Sequence, residues 1–215
     1  MNSIVYKWES RFIVEAPRIG WLTAMAMSMT GERVNLPDPQ TVLAQSDCLA
    51  DAETVRSAIA SVADRINRDL ADQVVQVCPL LNGSLPFAGM LLPQLRMPLR
   101  LNAIQVGRYG FETRGRDLEW LSPMPDVKGE TVLLLDDVLD EGITVTLVRS
   151  ALLSAGARRV LVAVLAEKNP MRPKPIEADY VAMEMPDRFI FGMGMDVFGW
   201  WRNLPSIHAL REING

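Results

Sequence analysis

The sequence predicts an α/β domain in which a mainly parallel, twisted sheet carries helices on both faces. Three observations predict it. Residues 74–81, 131–135 and 159–166 are almost continuously apolar, as in strands buried on both faces. The stretches between them repeat apolar residues every three or four positions, the pattern of helices that return the chain for another parallel strand. The 215 residues, 49% hydrophobic and 22% charged, suit one globular domain with a substantial core.

Taken in order, positions 1–16 mix charges and aromatics without a period, and positions 19–29 form a short apolar stretch with small residues. The charged segment ahead of that stretch opposes a signal-peptide core. Residues 1–44 are expected to be an N-terminal extension and residues 45–215 the domain proper, with Met25, Met27 and Met29 as alternative starts. Val55, Ile59, Val62 and Ile66 then predict a helix, with Asp51 and Glu53 in a first turn where the dipole favours acids. A buried strand over 74–81 ends in Asn82-Gly83-Ser84. Residues 87–95 read as a helix, for Pro86 is tolerated in a first turn, and 99–106 as a second strand.

Residues 107–125 are polar and rich in Gly, Arg and Pro. They are too long for a simple connection and predict a mobile active-site loop. A third strand covers 131–135. Ile143, Leu147, Val148, Ala151 and Leu152 make the apolar stripe of a helix that Gly156 ends. Residues 159–166 and 180–183 are further strands. Beyond 184 the aromatic content rises (Phe189, Phe191, Phe198, Trp200, Trp201), which predicts a small hood over the sheet edge.

Composition narrows the function. A formal charge of −4 argues against a dedicated nucleic-acid binder, which carries a basic face. No run approaches the ~20 apolar residues that span a bilayer, so no membrane association is expected. Cys48 and Cys78 are far apart, and Cys78 in its apolar run reads as a buried reduced thiol. The single histidine, His208, has no Cys or His at ligand spacing, which disfavours a zinc site and a Ser-His-Asp triad.

The most informative stretch is Thr131-Val-Leu-Leu-Leu-Asp136-Asp137-Val-Leu-Asp140-Glu141-Gly142-Ile143-Thr144. An apolar strand runs into two carboxylates, a third follows, and a glycine-containing turn opens a helix. Ligands of parallel sheets sit beyond the carboxyl ends of the strands, where Asn82, Asp136 and Lys168 all fall. A turn at a helix N-terminus also offers backbone N–H groups to a phosphate. Successive strand residues point to opposite faces, so Asp136 and Asp137 can straddle a ligand only where the strand is ending. Taken alone, three carboxylates in five residues fit a solvated acidic turn equally well.

This segment resembles the phosphoribosyl-pyrophosphate (PRPP) motif of the type I phosphoribosyltransferases. Four further stretches resemble the hypoxanthine-guanine branch of that family, in family order over roughly residues 45–210. They are Leu81-Asn82-Gly83-Ser84, Gly107-Arg108-Tyr109-Gly110, Val164-Leu165-Ala166-Glu167-Lys168-Asn169-Pro170, and the run from Ala178 through Pro186-Asp187-Arg188-Phe189 to Asp196 and Trp201-Arg202-Asn203-Leu204. The resemblance implies the type I phosphoribosyltransferase fold with a hood from both termini. It also implies purine salvage, with transfer of the 5-phosphoribosyl group from PRPP to the 6-oxopurine bases hypoxanthine or guanine, giving IMP or GMP and pyrophosphate. Mg²⁺ is implied as cofactor, and a cytoplasmic homo-oligomer, a dimer or tetramer, as the assembly.

The roles implied follow residue by residue. Asp136 and Asp137 would hold the ribose hydroxyls, directly or through magnesium, and place negative charge beneath a sugar that becomes cationic. Asp140 would take the N7 proton of the purine as the catalytic base. Asp140, Glu141, Gly142, Ile143 and Thr144 would wrap the 5′-phosphate. Asn82, Gly83 and Arg202 would meet the pyrophosphate, and Asp196 would be a further magnesium ligand. Lys168 would donate to O6, Phe189 would stack on the purine, and the backbone near Ile190 and Asp196 would accept from a 2-amino group. Arg108 and Tyr109 would belong to the lid loop.

Three positions depart from the common family form. Asn82 stands where many members have lysine, Glu141 replaces the usual threonine of the phosphate loop, and Ile143 a frequently basic residue. A carboxylate about 4 Å from a phosphate is repelled by several kcal/mol at an effective dielectric near 20. Either Glu141 points outward and the backbone amides bind, or the site no longer takes PRPP; suitable residues at every other ligand position favour the first. Two alternatives stay open: a regulatory protein that keeps the PRPP fold without transferase activity, and a xanthine-preferring transferase. Retention of Asp140 and Lys168 favours an enzyme over a sensor.

Overall fold

The computed structural model describes residues 36–108, 118–168 and 173–211. A short helix α1 (Pro39–Ala44), capped by the Asp38 carboxylate, leads into strand β1 (Ser46–Ala50). Helix α2 (Ala52–Asp69) starts where the Asp51 carboxylate accepts the Thr54 N–H at 2.8 Å, and its buried face is Val55, Ile59, Val62 and Ile66. Strand β2 (Val75–Leu81) follows, then α3 (Leu85–Leu91) with Pro86 in its first turn and a 3₁₀ turn over Leu92–Gln94. Strands β3 (Leu99–Leu101), β4 (Ile104–Arg108) and β5 (Leu118–Trp120) come next. The remaining elements are β6 (Thr131–Leu139), α4 (Ile143–Ser154), β7 (Arg159–Lys168), β8 (Tyr180–Met185), β9 (Ile190–Phe191) and β10 (Ile207–Leu210).

The principal sheet has the order β5-β4-β2-β6-β7-β8, with β3 also beside β2. Every pairing in it is parallel except β4 with β5. Apolar residues fill both faces. Val75, Val77, Leu133, Leu135, Leu161 and Ala163 pack under α2 and α3, whereas Cys78, Leu80, Val132, Leu134, Val162 and Val164 pack under α4. Two-sided burial is why these strands read as continuous apolar runs. Cys78 lies in this interior as a free thiol whose pKa burial pushes up to about 12, and Cys48 is free and exposed.

A second, antiparallel sheet, β1-β10-β9, forms the hood, so residues from both ends of the domain build it. Helix α1 belongs to this unit: Val42 packs with Phe191 and Val197, and the Trp201 indole N–H donates to the Pro39 carbonyl at 2.8 Å. His208 stacks on Phe191 and stands between two hydroxyls, Ser46 at 3.2 Å and Ser206 at 2.9 Å. The Ser46 hydroxyl already donates to the Leu43 carbonyl, so the imidazole donates from Nδ1 and accepts at Nε2, a neutral form that burial favours.

Three expectations need correction. The strand expected over 99–106 is two strands, because β3 pairs with Val75–Val77 and β4 with Leu80–Leu81 on the same side of β2. The 107–125 connection is partly regular, since Gly107 pairs with Glu119 and Val106 with Trp120 in an antiparallel arm. Tyr109 and residues 110–117 lie outside the described residues, as do Asn169, Pro170 and residues 1–35. The third strand does not end at Leu135 but runs through Asp136 and Asp137 to Leu139.

Candidate active site

The extension of β6 explains its acidic pair. Pairing with β2 stops at Pro79 opposite Leu135, whereas pairing with β7 continues to Leu139 opposite Glu167. Past the β2 ladder, the Asp136 carboxylate accepts the Asp137 N–H at 3.0 Å, and the Asp137 carboxylate accepts the Val138 N–H at 2.8 Å. The facing of side chains inverts here. Leu133 and Leu135 share one core and Val132 and Leu134 the other, yet Val138 lies on the core of Leu133 and Leu139 on that of Leu134. The two carboxylates sit at this inversion, inside the strand rather than after it.

Asp137 has the tighter surroundings. A Cβ on Gly83 would lie 2.0 Å from its Oδ2, and a Cβ on Gly194 would lie 1.7 Å from the Gly83 carbonyl. The carboxylate, the Asn82-Gly83-Ser84 turn and the hood are therefore stacked with no room for a side chain at either glycine. Burial raises the Asp137 pKa, against its hydrogen bonds and the Arg202 charge, which lower it. A carboxylate in that state gains from any cation or hydroxyl donor that reaches it.

Asp140 and Glu141 form the turn, Gly142 is the N-terminal residue flanking α4, and Ile143 and Thr144 open the helix. Gly142 has φ 73°, and a Cβ there would meet Ile176 at 2.9 Å. The Thr146 N–H and hydroxyl both donate to the Gly142 carbonyl, at 3.0 and 2.7 Å. Thr144 and Glu141 are partly buried and engaged in contacts of their own. The first amides of α4 thus present a positive helix end beside the acidic strand.

Lys168 ends β7, with its side chain only 12% exposed. Its Nζ donates to Asp140 Oδ2 at 2.8 Å and lies 3.5 Å from Asp187 Oδ1. The predicted base and the predicted O6 donor are in direct contact, each from the carboxyl end of a neighbouring strand. Phe189 is two residues beyond Asp187 and 46% exposed, an uncovered aromatic at the site margin, while Ile190 is buried and paired with Ala209. Arg202 donates to Asp196 Oδ1 and to the Gly194 carbonyl, and the Gly199 N–H donates to Asp196 Oδ2 at 2.8 Å. Arg108 ends β4, on the arm outside the acidic strand.

Two contributors escaped the sequence reading. Asp187 was quoted only as part of a motif, and its pairing with Lys168 joins positions that no periodicity links. Asp47 on β1 binds Arg188 at 2.7 Å and Arg211 at 2.8 Å, and Arg188 also donates to the Leu210 carbonyl at 2.8 Å. That network ties the segment just ahead of β9 to β1 and β10 within the hood. Only the acid at 47 and the bases at 188 and 211 could have signalled it, and their order along the chain does not pair them.

Oxygen donors of Asp136, Asp137 and Asp196 suit a hard cation such as Mg²⁺. Among the described residues no group of three or more His, Cys, Asp or Glu side chains is placed to hold a metal ion, so the structure does not bring Asp136, Asp137 and Asp196 together as a ready-made site. Magnesium fits this arrangement because it is commonly held by one or two carboxylates together with substrate phosphates and water. Desolvation raises the Asp137 pKa, so a positive partner that reached this carboxylate would offset the cost of its charge.

Comparison with known proteins agrees with the geometry. The phosphoribosyl transferase domain family matches residues 45–197. The hypoxanthine-guanine phosphoribosyltransferase of Streptococcus agalactiae is 30% identical over 150 residues, 69% of this chain and 83% of that protein. Its Bacillus subtilis counterpart is 26% identical over 165 residues, 76% of this chain and 92% of that protein. The crystal structure of a Bacillus anthracis hypoxanthine-guanine phosphoribosyltransferase superposes with a TM-score of 0.71 at 26% identity, covering 77% of this chain and 98% of that one. With a strand-turn-helix site at the carboxyl edge of a parallel sheet, and these matches across it, the chain belongs to the phosphoribosyltransferase family, in its hypoxanthine-guanine branch.

Proposed function

We propose that the protein transfers the 5-phosphoribosyl group of PRPP to hypoxanthine or guanine, releasing pyrophosphate and the nucleoside 5′-monophosphate. The observation that carries this reading is the contact of Lys168 Nζ with Asp140 Oδ2 at 2.8 Å, beside a helix N-terminus and an acidic strand. A purine seated on Phe189 offers N7–H and O6 side by side, matching an acceptor next to a donor. The ammonium selects a 6-oxo group over a 6-amino group, because two donors cannot pair. A site built on such a hydrogen bond rejects the wrong base by about 10⁴-fold.

The steps follow from the residues. The turn Asp140-Glu141-Gly142 and the first amides of α4, with the Thr144 hydroxyl, hold the 5′-phosphate. Asp136 and Asp137 accept from the ribose hydroxyls, and their charge favours the cationic sugar that forms as the C1–pyrophosphate bond breaks. N9 of the base bonds to C1, pyrophosphate leaves with the electron pair, and Asp140 accepts the N7 proton. Asn82, Gly83 and Arg202 receive the pyrophosphate. Asp136, Asp137 and Asp196 are the residues that would hold Mg²⁺ with it, and the ion would supply charge neutralisation for the leaving group.

Cytoplasmic purine salvage as a homodimer or homotetramer belongs to the same reading and rests on the family likeness. Among the described residues no helix is long and apolar enough to cross a membrane. The test is a spectrophotometric assay with PRPP, Mg²⁺ and hypoxanthine, guanine, xanthine or adenine in turn. The expected result is turnover with hypoxanthine or guanine. No turnover with any base, despite PRPP binding, would favour a sensor, and xanthine alone would reassign the substrate.

A further inference from the structure

We infer that Lys174 is a positioning residue that straps the carboxyl ends of β6 and β7 together behind the site, holding Asp140 and Lys168 in register. Its side chain is 10% exposed. The Nζ donates to the Leu139 carbonyl at 3.3 Å, to Glu167 Oε1 at 2.8 Å, and to the Lys168 carbonyl. An ammonium has three N–H donors, and all three are used.

The place of these acceptors gives the strap its purpose. The β6–β7 ladder ends at Leu139 opposite Glu167, one residue short of both Asp140 and Lys168. Sheet hydrogen bonding to β6 therefore cannot hold the two reacting side chains to each other. Lys174 bridges that gap, because the Leu139 carbonyl belongs to the peptide that carries Asp140, and the other backbone acceptor is on Lys168 itself. The next residues press on the phosphate turn from the same side: a Cβ on Gly142 would meet Ile176 at 2.9 Å and Pro175 at 3.7 Å. Glu167 supplies the opposite charge that a buried ammonium requires.

A purine binding between Asp140 and Lys168 must separate a pair that attracts itself, and must do so without spreading the strands. A strap on the backbone, behind the side chains, allows the first and prevents the second. The role is distinct from contact with substrate, and it rests on the proposed reaction.

The test compares Lys174→Met with the double variant Glu167→Gln/Lys174→Met, which leaves no unpaired buried charge if the single variant fails to fold. In the folded variant, kcat with hypoxanthine should fall by about 10²-fold, the scale of an ångström-sized misplacement. The hypoxanthine-to-adenine ratio of kcat/KM should fall with it, and KM for PRPP should change far less. Hydrogen exchange at Asp140 and Lys168 should quicken. A folded double variant with wild-type turnover and base ratio, or one that loses thermal stability alone, would overturn the strap. If the wild-type protein itself forms no nucleotide, the proposed reaction fails instead, and exchange at the strand ends decides the strap: unchanged exchange rejects it.

Discussion

The sheet edge and the hood both supply the site, but they are built on different length scales. At the sheet edge, Asp136, Asp137, Asp140 and the first turn of α4 lie within a few residues of one another, and their geometry follows from a strand, a turn and a helix. In the hood, Asp47 meets Arg188 across 141 positions, and Ser46 meets His208 across 162. The first region is set by local backbone rules, the second by tertiary pairing. Substitutions at the edge should therefore change chemistry, and those in the hood should change how the base is seated.

The largest effect is expected at Asp140. Asp140→Asn keeps the shape but cannot accept a proton at neutral pH, so turnover should fall by about 10²-fold or more with PRPP still bound. Turnover and PRPP affinity measured together check this; wild-type turnover would remove Asp140 from the mechanism. Gly83→Ala should come next, since the added methyl would sit 2.0 Å from Asp137 Oδ2. Overpacking of this kind costs about 1–3 kcal/mol, and here it also displaces the carboxylate proposed to hold the ribose. Calorimetry should record a lower Tm and weaker PRPP binding in the same variant.

Asp137→Asn should separate stability from binding. Burial raises the Asp137 pKa, so its contribution to the ligand-free fold is largest at acid pH, where the carboxyl is protonated. That contribution is lost as pH rises through the folded value. The variant should match wild type in Tm near about pH 4 and exceed it by a few degrees at about pH 7, while binding PRPP poorly. A lower Tm at neutral pH would contradict the assigned electrostatics.

The smallest effect belongs to the hood. Hydrogen bonds from Arg211 and Arg188 hold the Asp47 pKa below the ordinary carboxylate value, so any stability it adds is present above that value and fades only as pH falls through the lower folded one. Exposed pairs contribute little, and Asp47→Ala should leave Tm nearly unchanged at neutral pH. Loosening Arg188 should still raise KM for the purine a few-fold with kcat preserved. A fall in kcat with KM unchanged would mean that the hood shapes the chemistry as well.

What could be read beforehand divides along the same line. Continuous apolar runs and three-four periodicity located the strands and helices of the main sheet, because burial on both faces leaves a direct imprint on composition. The acidic motif located Asp136, Asp137 and Asp140, although the strand was expected to stop at Leu135. Carboxylates taking over the amides of Asp137 and Val138 let β6 continue, and polar residues carry no such signal in a hydropathy pattern. Asp187, Lys174 and Asp47 act through partners brought together only by folding. The split at Asn102 depends on where β2 offers its edge, which also lies outside the segment itself.

The central claim is that the carboxyl edge of β6 and β7 recognises and deprotonates a 6-oxopurine through the Lys168–Asp140 pair. Its most direct test is the kcat/KM of Lys168→Ala with hypoxanthine and with adenine, measured beside its affinity for PRPP. Discrimination between the two bases should collapse by orders of magnitude while PRPP binding stays close to wild type. A variant that loses PRPP affinity and keeps its base preference would contradict the account.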